Sequence, residues 1–79
     1  MNWNQHISVD AGILLGKPII KGTRISVELI LDRLADGWTQ EDLLRSYPKL
    51  TLPAIQAVFA FASEMMRDEE YVALQKITA

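Results

Sequence analysis

Cysteine is absent from this chain of 79 residues, and histidine occurs once, as His6. The first absence removes disulfide staples and thiolate metal sites; the second removes any histidine-rich metal cage. No apolar run approaches the roughly 18 residues that span a bilayer. The opening MNWNQHIS also lacks the basic-then-apolar pattern of a signal peptide. These absences give the expectation of a soluble, cytoplasmic protein with no membrane association. Strong charge of one sign is missing too: the formal net charge is −2, which argues against a protein that coats nucleic acid. No Ser/His/Asp arrangement can be built beyond His6 and chance acids. The acidic pairs Glu41-Asp42 and Glu69-Glu70 are neighbours in sequence, so within a helix their side chains do not face each other. The chain is therefore expected to be no enzyme and to use no cofactor, metal or small-molecule substrate.

What is present is apolar surface. Hydrophobic residues make up 49% of the chain, high for so small a globule. Residues 1–79 make one domain, and a domain of this size buries only about 60% of the surface its unfolded chain exposes. With no staple to compensate, oligomerisation is the remaining source of stability, and a homodimer is expected. The charge is unevenly placed, +2 over residues 1–27 and −2 over residues 50–79, which is a weak polarity.

The segment His6–Asp10 (HISVD) alternates like a short strand. Residues 11–16 form a turn region. Pro18-Ile19-Ile20 and Thr23-Arg24-Ile25 then flank Lys21-Gly22, the arrangement of a hairpin. Ser26 is an N-cap, and Val27, Ile30, Leu31, Leu34 and Ala35 recur on one helical face before Gly37, a C-terminal left-handed residue. Thr39 and Asp42 form a capping box, with Trp38 and Leu43 as a hydrophobic staple; Pro48 confines that helix to about 40–46. Thr51 repeats the device, with Leu50 and Ile55 as the staple and Pro53 in the first turn. The third helix carries a central stripe of Leu52, Ile55, Phe59, Ala62 and Met66, widened by Ala54, Val58, Phe61 and Met65 to about half its circumference. After Arg67, either this helix continues through Tyr71–Leu74 or Asp68 caps a separate one.

Three constellations bear on function. The surplus apolar width of the third helix predicts a second buried surface. Ala54, Val58, Phe61 and Met65 are its candidate residues, and Tyr71, Val72 and Leu74 either join them at a dimer or partner interface or fold back over them. The short helix, turn and longer helix resemble a helix-turn-helix. At the start of its recognition helix only Gln56 has the chemistry to read base edges, while Arg45 and Lys49 suit phosphates. The stretch GKPIIKGTRIS, residues 16–26, lacks Walker spacing and is no phosphate loop. It reads as a glycine turn with a cationic rim of Lys17, Lys21 and Arg24. That rim is either a binding surface or solvated, with Arg24 turned to nearby carbonyls or paired with Asp10. Trp3 and Trp38 read as packing residues, and His6 as an ordinary strand or surface histidine.

Taken together, these residues resemble a known family. Residues 16–25 match the pattern G-x-P-x-I-x-G-T-R-I. An apolar helix follows, then Gly37-Trp38-Thr39, Glu41-Asp42-Leu43-Leu44 and Tyr47-Pro48-x-Leu50-Thr51. This is similar to the bacterial domain-of-unknown-function family numbered 433, described as VapB-like antitoxins, over about residues 6–67. The resemblance implies a mainly α fold: a small N-terminal β-hairpin region at about 6–25, then a three- to four-helix homeodomain-like bundle. Its helices would lie at about 27–36, 40–46 and 52–67, followed by a C-terminal segment 68–79. It also implies an antitoxin of a type II toxin–antitoxin pair. Such a protein binds and inhibits a PIN-like ribonuclease toxin and represses its own operon by binding operator DNA. The competing expectation from the residues is a homodimeric protein-interaction module that binds no DNA.

Overall fold

The computed structural model describes residues 1–67. The chain opens with a single 3-10 turn, Trp3–Gln5, capped by the Asn2 side chain, and enters strand β1, Ile7–Ser8. Strand β2, Ile19–Ile20, pairs with it antiparallel in the register Ile7↔Ile20, Ser8↔Ile19. Between the strands, Asp10 accepts a hydrogen bond from the Gly12 N–H at 2.8 Å. A second 3-10 turn, Leu14–Gly16, follows. Leu14 and Leu15 there adopt φ values of 50° and 58°, in the left-handed region that residues with a Cβ avoid.

The turn expected at Lys21-Gly22 is present, with Gly22 at φ 76°. The Thr23 N–H donates to the Ile20 carbonyl at 3.1 Å, and the Ile20 N–H donates to the Ile25 carbonyl at 2.9 Å. A single antiparallel bridge, Ile19↔Ser26, extends it. The Thr23 hydroxyl donates to the Ile20 carbonyl at 2.8 Å and accepts from the Ile25 N–H at 2.9 Å, so one side chain closes the loop twice. The sequence pattern placed the main strand pair across this turn. In the structure β2 instead pairs over two residues with the distant Ile7–Ser8, and the segment after the turn adds one bridge at Ser26, just beyond the expected 23–25 strand. Sequence alternation marks which segments are extended; which extended segments pair depends on the helices beneath them.

Helix α1, Val27–Ala35, begins at Ser26, whose hydroxyl accepts from the Leu29 N–H at 2.9 Å. Gly37 at φ 97° releases the chain beyond it, a conformation that strains any residue with a Cβ. Helix α2, Gln40–Ser46, carries the complete capping box: Thr39 Oγ1 accepts from the Asp42 N–H, and the Asp42 carboxylate accepts from the Thr39 N–H. Helix α3, Leu52–Met65, is capped by Thr51, with Pro53 in its first turn where no donor is needed. The architecture is thus a small N-terminal β-hairpin followed by a three-helix bundle.

Ile30 from α1, Leu43 from α2, Ile55 and Val58 from α3, and Ile7 from β1 are fully buried and meet in one core. The N-terminal turn packs on α3. The Trp3 ring stands edge-on to Phe61 at 4.8 Å, and its indole N–H donates to the Glu64 carboxylate. Trp38 stacks near Tyr47 at 6.4 Å, with the Arg33 guanidinium 5.2 Å from its ring centre. Both tryptophans are packing residues, as their sequence context implied.

The stripe expected at the centre of α3 is corrected. Ala54, Ile55, Ala57 and Val58 are buried, whereas Leu52, Phe59 and Met66 are 43%, 45% and 51% exposed. Nearly all of α3 is apolar, so periodicity does not distinguish its inner face. That face is selected by α1, α2 and the N-terminal turn closing on it together.

Candidate functional site

A groove of about 820 Å³ opens between the Lys21-Gly22 turn and the corner joining α2 to α3. Residues 22–25 of the turn and 46–49 of the corner line it, together with Ser8, Ile13 and Ile19. Each part is positioned by a local device. Gly22 and the Thr23 hydroxyl fold the turn so that Arg24 stands at the surface. At the corner, the Tyr47 N–H closes α2 on the Leu43 carbonyl at 2.9 Å, and the Leu50 N–H returns to the Tyr47 carbonyl at 2.8 Å. Pro48 and Lys49 are left exposed between them. Two sequence motifs separated along the chain, Gly22-Thr23-Arg24-Ile25 and Tyr47-Pro48-Lys49, therefore meet as opposite parts of one feature.

The candidate cations divide into two groups. Lys17 lies 3.4 Å from Glu28, and Arg45 lies 3.4 Å from Asp42, one turn away on α2. Both pairs are exposed and add little stability, but they partly neutralise those cations. Lys21, Arg24 and Lys49 are exposed and form no ion pair among the described residues. Arg24 does not pair with Asp10. Only Arg24 and Lys49 line the groove; Lys17, Lys21 and Arg45 lie outside it. Gln56 is exposed on the second turn of α3.

The candidate interface residues separate as well. Ala54 and Val58 are buried within the chain's own core and offer no surface to a partner. Phe61 is half-buried against Trp3. Met65 is 41% exposed. Tyr71, Val72 and Leu74 lie outside the described residues. The apolar side chains that α3 leaves in solvent are Leu52 and Phe59, then Met65 and Met66 at its end. Leu52 and Phe59 were assigned to the core from sequence. The only sequence signal that could have exposed them is the excess of apolar positions over what one buried face needs.

Among the described residues there is no group of three or more side chains suited to hold a metal ion. No described helix is long and apolar enough to cross a membrane. The Asp42 carboxyl is held below the usual carboxylate range, first by the Thr39 N–H that it accepts, with smaller help from Arg45. This is a capping effect and marks no reactive group.

The model of a family described as protein of unknown function (DUF433) matches residues 7–62. A crystal structure of a DUF433 member protein from Anabaena variabilis ATCC 29413 superposes with a TM-score of 0.71. It is 23% identical, and the match covers 99% of this chain and 77% of that one, so it establishes a shared fold. No functionally curated protein matches the chain. The matched span contains both the GTRI turn and the YP-x-L-T corner that frame the groove, and on that match the chain belongs to the DUF433 family.

Proposed function

We propose that this domain works by binding a protein, as the antitoxin of a type II toxin–antitoxin pair that inhibits a PIN-like ribonuclease in the cytoplasm. The observation that supports this reading most is the line of Leu52, Phe59 and Met66, each close to half exposed, at seven-residue spacing along α3 and its C-terminal cap. Seven residues are two helical turns, so the three side chains form one ridge. Covering the exposed half of each contributes about 1 kcal/mol, roughly 3 kcal/mol for the ridge. That suits an anchor for a protein partner and has no use in catalysis.

The reading requires a gene for a PIN-like ribonuclease beside this one, and is tested by co-expressing the two and purifying on one tag. The wild-type pair is expected to co-purify, and Phe59→Asp to lose the partner while keeping its helical circular dichroism. A wild-type chain that never retains the ribonuclease discards the antitoxin assignment. A homodimer built on the same ridge, without DNA binding, is the second reading; light scattering on the isolated chain separates it, since a strict monomer removes it.

Operator binding through α2 and α3 is the further part of the proposal. Gln56 would read a base edge, and Arg45 and Lys49 would hold phosphates. Affinity for the upstream DNA would then fall steeply with salt. No mobility shift even at low ionic strength would confine the domain to protein binding.

A further inference from the structure

The groove between the turn and the α2–α3 corner has a chemistry that the ridge on α3 does not share. Its walls are largely aliphatic and aromatic, from Ile13, Ile25, Tyr47 and Pro48, and two cations without carboxylate partners among the described residues, Arg24 and Lys49, line it. We infer that this groove is a docking site for an acidic-aliphatic peptide segment of a partner protein, seating an aliphatic side chain between carboxylates held by Arg24 and Lys49.

The main competitor for two cations is a phosphate of nucleic acid, and the apolar lining of the groove disfavours it. Phosphate cradles use backbone N–H groups left free by a turn. In this groove they are divided: the N–H groups of Gly22, Arg24 and Lys49 donate to nothing among the described residues and are open to any anionic oxygen, while the others are engaged. The Thr23 N–H donates to Ile20, the Ile25 N–H to the Thr23 hydroxyl, the Tyr47 N–H to Leu43 and the Leu50 N–H to Tyr47, and Pro48 has none. The Thr23 hydroxyl is engaged both as donor and as acceptor. What remains is an apolar trough whose only uncommitted charges are two long flexible side chains. A phosphodiester chain would set its most hydrated atoms against isoleucine and proline. A peptide with alternating acidic and aliphatic residues satisfies both halves. Its aliphatic group removes the Ile13, Ile25 and Pro48 surface from water, and its carboxylates give Arg24 a planar bidentate partner and Lys49 a point charge. The inference stands apart from toxin binding, because it uses a surface other than the α3 ridge; it shares Lys49 with the operator-binding reading, and the oligonucleotide arm of the test below decides between the two.

The test is an amide-resolved NMR titration of the full chain with three probes. The first is the acetylated, amidated peptide Glu-Val-Asp-Leu-Glu; the second is its neutral isostere Gln-Val-Asn-Leu-Gln; the third is a short thymidine oligonucleotide. The acidic peptide is expected to shift the amides of residues 22–25 and 46–49. The double variant R24Q/K49Q is expected to bind it about tenfold more weakly, a loss of about 1.4 kcal/mol. Both residues are exposed, and the variant's own spectrum reports whether it folds. Equal binding of the neutral peptide overturns the inference. So do shifts that map to α3, the absence of any shift with the acidic peptide, or stronger shifts of the same amides by the oligonucleotide, which would make this a nucleic-acid site.

Discussion

Replacing Leu15 by glycine is expected to stabilise the protein. Leu15 sits at φ 58°, ψ 34°, with its side chain 96% exposed. In that left-handed conformation the Cβ crowds the following carbonyl, at about 1–2 kcal/mol. Removing the side chain forfeits almost no packing, since nearly all of it is already in water. Against the relief stands the greater freedom of glycine in the unfolded chain, about 0.5–1 kcal/mol. The balance is a gain of about 0.5–1 kcal/mol, or a rise in Tm of about 4 °C for a domain this small. Urea unfolding followed by the fluorescence of Trp3 and Trp38 measures it directly. Leu14→Gly, at φ 50° but only 38% exposed, is expected to gain less, because part of its contact area is lost. If Leu15→Gly instead lowers stability by 0.5 kcal/mol or more, the strain assignment is refuted, and the Leu15 side chain makes contacts that its exposure does not show.

The mirror experiment is Gly22→Ala. At φ 76° with no atom within 4 Å of an added Cβ, it introduces backbone strain and no clash, so it should destabilise by about 1 kcal/mol in the same urea assay. Trp3→Ala removes the edge-on contact with Phe61 and the indole donor to Glu64, and is expected to lower stability by about 2 kcal/mol for a half-buried ring. An unchanged urea midpoint would mean that the N-terminal turn is not docked on α3. For Asp42, whose carboxyl is depressed in the folded protein, the stabilising contribution is complete above its unfolded value. It fades as pH falls below about 4 through the lower folded value. Asp42→Asn keeps an acceptor for the Thr39 N–H but not the titration, so its urea midpoint should fall less over that acid window. Parallel curves for the two proteins would remove the linkage.

The punctuation of the helices was legible before the structure because each device is local. Ser26, Thr39 with Asp42, and Thr51 all cap the helices they were expected to cap, and Gly37 takes the left-handed conformation beyond α1. A cap acts over three or four residues, so spacing alone identifies it. The GTRI and YP-x-L-T motifs were legible as signatures, and the family match on residues 7–62 agrees with them. The groove they enclose was not legible, because nothing in the spacing brings residue 24 to residue 49. The face of α3 was misjudged for a related reason. With Leu52, Ala54, Ile55, Ala57, Val58 and Phe59 all apolar, hydrophobic pattern gives no phase. Only the elements packed against α3 select Ile55 and Val58 over Leu52 and Phe59.

By itself, the sequence determined where each helix begins and where α1 and α2 end, that a glycine turn precedes α1, and to which family the chain belongs; α3 ends at Met65, short of the Arg67 expected. Those features rest on backbone stereochemistry and on hydrogen bonds between near neighbours. The tertiary structure alone decided that β2 pairs with Ile7–Ser8, that Lys17 meets Glu28, and that Arg24 and Lys49 share one groove. Each of these depends on contacts between residues distant in the chain. Which such contacts form is a property of the packed whole, where burial of Ile7, Ile30, Leu43 and Ile55 together outweighs any local preference.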